Sequence, residues 1–263
     1  MSMDKKTVSR DGTELAYEST GRGPAVILVS GAMSTGGTMT PLAGLLADRF
    51  TAVRYDRRGR GESGDTAPYA VEREVEDLAS LIDAVGGEAA LYGVSSGGAL
   101  ALEAAAAGLP VSRVAVYETP FALDDEAARG RAEYTANLTE ALAQDRRGDA
   151  VELFLRLTGL AEEMIQGARR SPMWAGMEAV APTLAYDDAV MGDGRPPRER
   201  LASVRVPVLA VAGEAGPPWL RDAVRTVADA VPDGAYRTLE GQTHMVDPAV
   251  LAPVLAEFFD GRD

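Results

Sequence analysis

Short apolar runs recur along this chain, separated by longer stretches in which apolar residues return every three or four positions. The runs AVILVS (25–30), AVRY (52–55), ALYGV (90–94), VSRVAVY (111–117) and VPVLAVA (206–212) are rich in β-branched residues and read as strands. They lack the alternation of a strand with one wet face, so both of their faces must be covered. Between them, TPLAGLLADRF and VEREVEDLASLIDAVGG have helical period, and the second ends in glycines suited to a helix C-terminus. Strand then helix, repeated, implies a parallel sheet with helices on both faces. An antiparallel hairpin is expected first, because KKTVSR and ELAYEST flank Asp11-Gly12, a favoured hairpin turn. With 263 residues, 46% of them hydrophobic, the chain is long enough for one large domain carrying an insertion. That insertion reads as residues 122–201, where strand signals vanish and helical segments break at Gly148, Ser171-Pro172, Pro182 and Gly192 to Pro197. The core is then 1–121 and 202–263.

Charge and cysteine content narrow the partners. Lysine plus arginine number 26 against 40 aspartate plus glutamate, a net charge of −14, which repels phosphate backbones and anionic lipid heads. Nucleic acid and membrane are therefore excluded as expected partners. There is no cysteine, so disulfides, thiolate catalysis and cysteine-held metals are ruled out. No histidine cluster or repeated carboxylate spacing suggests a metal, and YDRRGRGES (55–63) lacks the Gly-Lys-Ser/Thr of a phosphate loop. No cofactor is expected. The segment MSMDKKTVSRDG has no apolar signal-peptide core, and a cytoplasmic location is the expectation.

The stretch LYGVSSGGALALEAAAAG (91–108) places Ser95 between Gly93 and Gly97, after a strand and before an alanine-rich helix. In that context Gly-x-Ser-x-Gly describes a sharp strand-to-helix turn that lifts the serine above the sheet edge. The helix aims its free N–H groups at the same spot, and the N–H of Ser96 can stabilise an oxyanion there. A serine needs a base to become a nucleophile. His244, in EGQTHMVDP, is the only histidine and lies between the strand AYRTL (235–239) and the helix PAVLAPVLAEFF. Its position downstream of Ser95 fits the order Ser, acid, His of nucleophile-elbow enzymes.

Residues 20 to 118 and 200 to 260, with YDRRGRGES, GxSSGG at the serine and YE after VSRVAVY, resemble the α/β-hydrolase superfamily, in particular its small bacterial branch. The resemblance implies an eight-stranded, mostly parallel sheet flanked by helices, Ser95 as nucleophile and His244 as base. Many relatives carry an aspartate in the loop after VPVLAVAG, where this chain has GEAGPPWL and Gly216. Glu118, after the preceding core strand, matches a second acid position known in the superfamily. Its place at a strand's C-terminal end points to the edge that carries Ser95, and Glu214 is the competing choice. The loop VSGAMSTGG would supply the other oxyanion donor, the N–H of Ala32 or Met33, with Gly31 allowing close approach.

Asp56 and the neighbouring arginines read as a structural network tying loops together beneath the site, and VEREVED as a solvated helix face. Phe121, Phe154, Leu157, Met164, Met173, Trp174 and Met177 give the insertion apolar bulk, which suits a helical cap over a small hydrophobic substrate. The expected chemistry is acyl transfer: hydrolysis of an ester, lactone or related acyl bond. Two alternatives share the site: a lyase that expels a carboxylate or acyl group in natural-product biosynthesis, and a ligand-binding homologue without turnover.

Overall fold

In the computed structural model, which describes residues 3–261, the chain opens with β1 (Lys5–Val8) and β2 (Glu14–Thr20), paired antiparallel. The hairpin turns at the expected place. Gly12 sits at φ +89°, its N–H donating to Ser9 O while the Ser9 N–H donates to Thr13 O. There follow β3 (Ala25–Val29), α1 (Thr40–Leu46), β4 (Thr51–Tyr55), α2 (Val71–Ala84), β5 (Ala89–Val94), α3 (Ser96–Ala106) and β6 (Val111–Tyr117). Only helices intervene before the next strand: α4 (Asp125–Ala143), α5 (Arg147–Leu157), α6 (Glu162–Arg169), α7 (Trp174–Val180), α8 (Leu184–Met191) and α9 (Arg198–Leu201). The chain closes with β7 (Val208–Gly213), α10 (Pro218–Ala230), β8 (Gly234–Leu239) and α11 (Pro248–Phe259).

Among the described residues the sheet has eight strands in the order β1-β2-β4-β3-β5-β6-β7-β8. All neighbours from β4 to β8 run parallel, and only the β1–β2 and β2–β4 pairs are antiparallel. Both faces are covered, as the uninterrupted apolar runs require. Ile27 and Val29 pack with Leu78, Leu100 and Val224 on one side; Val26 and Leu28 pack with Leu42, Leu46 and Leu255 on the other. This is the α/β-hydrolase arrangement. It brings the C-terminal ends of β3, β5, β6 and β7 to one edge.

The helical insertion has its own apolar cluster, including Tyr134, Leu138, Val151, Trp174 and Leu184, yet it also merges with the sheet. Met191 and Leu201 belong to the cluster on the sheet face that carries α2 and α3. Two local expectations need correction. Gly148 does not break a helix: it is the second residue of α5, and a Cβ there would stand 2.8 Å from Glu178 Oε1 and 3.7 Å from the Trp174 ring. The glycine serves close helix packing instead. Nor is VEREVED wholly solvated, because Glu74 and Asp77 are 2% and 1% exposed. They lie three apart on the inner side of α2, where they neutralise Arg57 and Arg58.

Candidate active site

Ser95 occupies the junction of β5 and α3 at φ +56°, ψ −126°, a conformation that L-residues rarely adopt. Two contacts hold it. The Ser95 N–H donates to Tyr117 O at 2.9 Å, and the Ser95 carbonyl accepts the Gly98 N–H at 2.9 Å. With that carbonyl turned down the helix, the Ser96 N–H is left at the open end of α3. The bracketing glycines are needed for proximity. A Cβ on Gly93 would fall 2.3 Å from Gly97 O, and one on Gly97 would fall 2.4 Å from Val29 O.

Glu118 follows β6 directly and is fully buried. Its Oε1 accepts the Gly213 N–H at 2.8 Å, and its Oε2 lies 2.8 Å from His244 Nδ1. An ionised carboxylate can only accept, so Nδ1 carries the proton and Nε2 is left free as a base. The His244 side chain is 44% exposed. Its loop is tied down on both sides: Tyr117 Oη donates to Thr243 O at 2.5 Å, and the Asp247 carboxylate caps α11 through the Ala249 N–H. Burial, aided by the Glu118 charge, pushes the Tyr117 phenol up, so it remains a donor. Glu214 is exposed and turns elsewhere, its carboxylate accepting the Gly241 N–H at 3.4 Å. No hydrogen bond joins the Ser95 hydroxyl to the His244 ring among the described residues, and such contacts commonly tighten only with substrate.

Gly31 abuts the serine, since a Cβ there would lie 3.1 Å from Ser95 Cβ. The adjoining Ala32 and Met33 are partly buried against the apolar cluster of the insertion. Met33 has φ +56° and Glu118 φ +47°. Among the described residues only four non-glycine positions have positive φ, and Met33, Ser95 and Glu118 are three of them. Backbone strain is therefore concentrated at residues expected to form the site.

Beneath this loop lies the arginine network. The Asp56 carboxylate accepts the N–H groups of Gly36 and Glu62 at 2.8 Å each. Arg57 grips Glu74 with two 2.7 Å bonds, and Arg58 grips Asp77 likewise at 2.7 and 2.6 Å. Arg57 and Arg60 both reach Asp187 on α8, a buried residue that sequence reasoning missed. Burial alone would raise its pKa, but the Arg60 and Arg57 charges outweigh that and hold the carboxyl below its ordinary value. No local pattern marks Asp187, because its arginine partners lie more than a hundred residues away in sequence.

Of the apolar residues expected in the insertion, Phe121 and Trp174 are buried packing residues and Phe154 and Met177 are partly buried. Leu157, Met164 and Met173 are exposed. Among the described residues no group of three or more histidine, aspartate or glutamate side chains could hold a metal ion, and no helix is long and apolar enough to cross a membrane.

Comparison with known proteins agrees with this fold. An α/β hydrolase of Sphaerobacter thermophilus superposes with a TM-score of 0.89 at 50% identity, covering 97% of this chain and 100% of that one. The 2-(acetamidomethylene)succinate hydrolase of Mesorhizobium japonicum is 28% identical over 256 residues, 91% of this chain and 89% of its own. The 3-oxoadipate enol-lactonase 1 of Acinetobacter baylyi is 26% identical over 217 residues, 80% and 78% of the two chains. The family model described as the alpha/beta hydrolase family matches residues 26–254, and with the sheet order and the strained serine turn already in place, the chain belongs to that family.

Proposed function

We propose that the protein is a serine hydrolase that cleaves an ester, lactone or related acyl bond of a small hydrophobic molecule. The observation that carries this reading is the 2.8 Å contact between His244 Nδ1 and the buried Glu118 carboxylate. It orients the ring, fixes the tautomer that leaves Nε2 basic, and stabilises the imidazolium that forms during reaction. His244 takes the Ser95 proton as Oγ attacks the substrate carbonyl. The N–H groups of Ser96 and of Ala32 or Met33 receive the oxyanion. His244 then protonates the leaving group, and in the second half-reaction it activates water to release the acid. Ser95 also argues against epoxide or haloalkane opening, which needs a carboxylate at that place. The helices between β6 and β7 serve as a cap, and the packing of Ala32 and Met33 against their apolar cluster supports a hydrophobic substrate. The two relatives named for hydrolysis, one of them of an enol lactone, agree with this class.

Intact-protein mass spectrometry after exposure to a fluorophosphonate tests the proposal. A single adduct is expected on the native chain, lost in Ser95→Ala and slowed at least about a hundredfold in His244→Ala. A folded native protein that takes up no adduct and hydrolyses no ester in a broad panel would overturn it. Release of a carboxylate together with a new double bond would assign the site to elimination instead.

A further inference from the structure

We infer that Asp187, carried by α8 in the helical insertion, is a positioning residue that aligns both oxyanion donors through one carboxylate. The inference rests on the proposed role of Ser96 and Ala32 as those donors, and adds what holds them in place. Asp187 Oδ1 accepts from Ser96 Oγ at 2.8 Å and from an Arg57 Nη at 2.7 Å; Oδ2 accepts from the other guanidinium, Arg60, at 2.6 Å. All four side chains are buried, at 5% exposure or less.

What the arginines hold at their far ends gives the cluster its meaning. The Arg57 Nη that meets Asp187 also donates to Ser30 O at 3.2 Å, while Arg60 donates to Gly31 O at 2.7 Å and Ser34 O at 3.2 Å. A trans peptide is planar, so its carbonyl and the next N–H point in opposite directions. Fixing Gly31 O from beneath therefore fixes the Ala32 N–H above, on the side where Gly31 touches Ser95. A cation on that carbonyl also polarises the peptide and strengthens its N–H as a donor. This selects Ala32 over Met33. On the other side of the site, the Ser96 side chain is anchored to the same carboxylate while its N–H faces outward from α3. One buried anion thus sets the spacing between the two donors.

The helix that supplies Asp187 is itself immobilised against the core. Tyr186 stacks on Tyr69 with ring centroids 3.9 Å apart and planes within 2°, and its hydroxyl donates to Asp65 at 2.6 Å. Thr183, immediately before α8, accepts from Arg60 Nε at 3.0 Å. A stabilising role alone would be met as well by apolar side chains, since burying paired charges is often neutral or unfavourable. Here the charges end on the peptide groups that flank the reacting serine.

The test compares native protein, Asp187→Asn and Ser96→Ala for turnover of a p-nitrophenyl ester and for inhibition by an aryl trifluoromethyl ketone, with thermal midpoints as the control for folding. In Asp187→Asn, kcat is expected to fall at least about tenfold with KM within about threefold, and ketone affinity to fall in proportion to kcat, because only the tetrahedral form uses the donors. Ser96→Ala keeps the main-chain donor and loses only the tie to Asp187; a smaller drop, about threefold or more, is expected in kcat alone. A lowered midpoint with unchanged kcat and ketone affinity would overturn the inference and leave Asp187 structural. If Asp187→Asn does not fold, Ser96→Ala decides alone, and unchanged kcat there overturns it. A native protein with neither turnover nor Ser95 labelling would instead overturn the hydrolase reading, and this inference with it.

Discussion

Gly216 explains why the carboxylate that reaches His244 comes from the end of β6. A Cβ at Gly216 would lie 3.2 Å from Glu118 Oε1, so an aspartate in that loop and Glu118 would compete for one space. Two carboxylates that close could not both stay ionised without cost, and only one can orient the ring. Glu118→Gln should lower kcat by about a hundredfold or more with the fold intact, since an amide can present a donor to Nδ1 and favour the wrong tautomer. Steady-state kinetics with circular dichroism as a folding control would check this, and undiminished turnover would remove Glu118 from the mechanism. The shared space makes a sharper prediction about relocating the acid. Gly216→Asp placed in Glu118→Ala should recover about tenfold of the lost kcat, whereas Gly216→Asp in the native chain should reduce it. Glu214→Gln, altering an exposed carboxylate that accepts the Gly241 N–H, should leave kcat within about twofold.

The β5 strand and α3 act as one part with β3, because the glycines between them let backbones touch. In Gly97→Ala the new methyl would lie 2.4 Å from Val29 O and 2.6 Å from Ser30 O, both backbone atoms that cannot swing aside. Overpacking of this kind costs about 1–3 kcal/mol, and the helix must move away from the loop that carries Ala32. Urea unfolding should therefore show a lowered midpoint, accompanied by a fall in kcat beyond what loss of folded protein explains. Elements with local signals were readable from the sequence. Helix α11 begins and ends where PAVLAPVLAEFF does, with Asp247 as cap and proline at its first position, and β6 coincides with VSRVAVY. Ser95 and His244 could be nominated because a turn motif and a lone histidine are features of short segments, and Glu118 because the family resemblance marks the end of that strand as an acid position. The inward turn of Glu74 and Asp77 could not be read so, because a carboxylate spacing typical of a wet helix face looks the same when arginines from a distant loop cover it. Asp187 was hidden for the same reason, and Gly148 misled because a packing glycine and a breaking glycine are identical in sequence.

The protein as a whole is acidic, at −14, yet Arg54, Arg57, Arg58 and Arg60 are among its most deeply buried side chains. Each is met by carboxylates from elsewhere: Glu18, Glu74, Asp11, Asp77 and Asp187. This makes stability respond to acid in a way the net charge does not foretell, for the arginines stay charged while their partners protonate. For Asp187 the folded value lies below the ordinary 3.8. The unfolded chain then binds more protons near that pH, so the carboxylate's contribution is fully present above it and is lost as pH falls through the lower folded value. Asp77 has the opposite slope, since burial raises its pKa and the folded state gains protons more readily. The whole curve blends the two, and only a difference isolates Asp187. Asp187→Asn should be less stable than the native protein by about 3 kcal/mol at pH 7, having left two buried guanidinium groups undercompensated. In urea titrations from pH 7 to pH 3 that gap should hold steady down to about the ordinary carboxyl value and narrow below it, as the unfolded chain takes up a proton that the native carboxylate still resists. A gap unchanged to pH 3 would mean that Asp187 is not the anion that ties the insertion to the core.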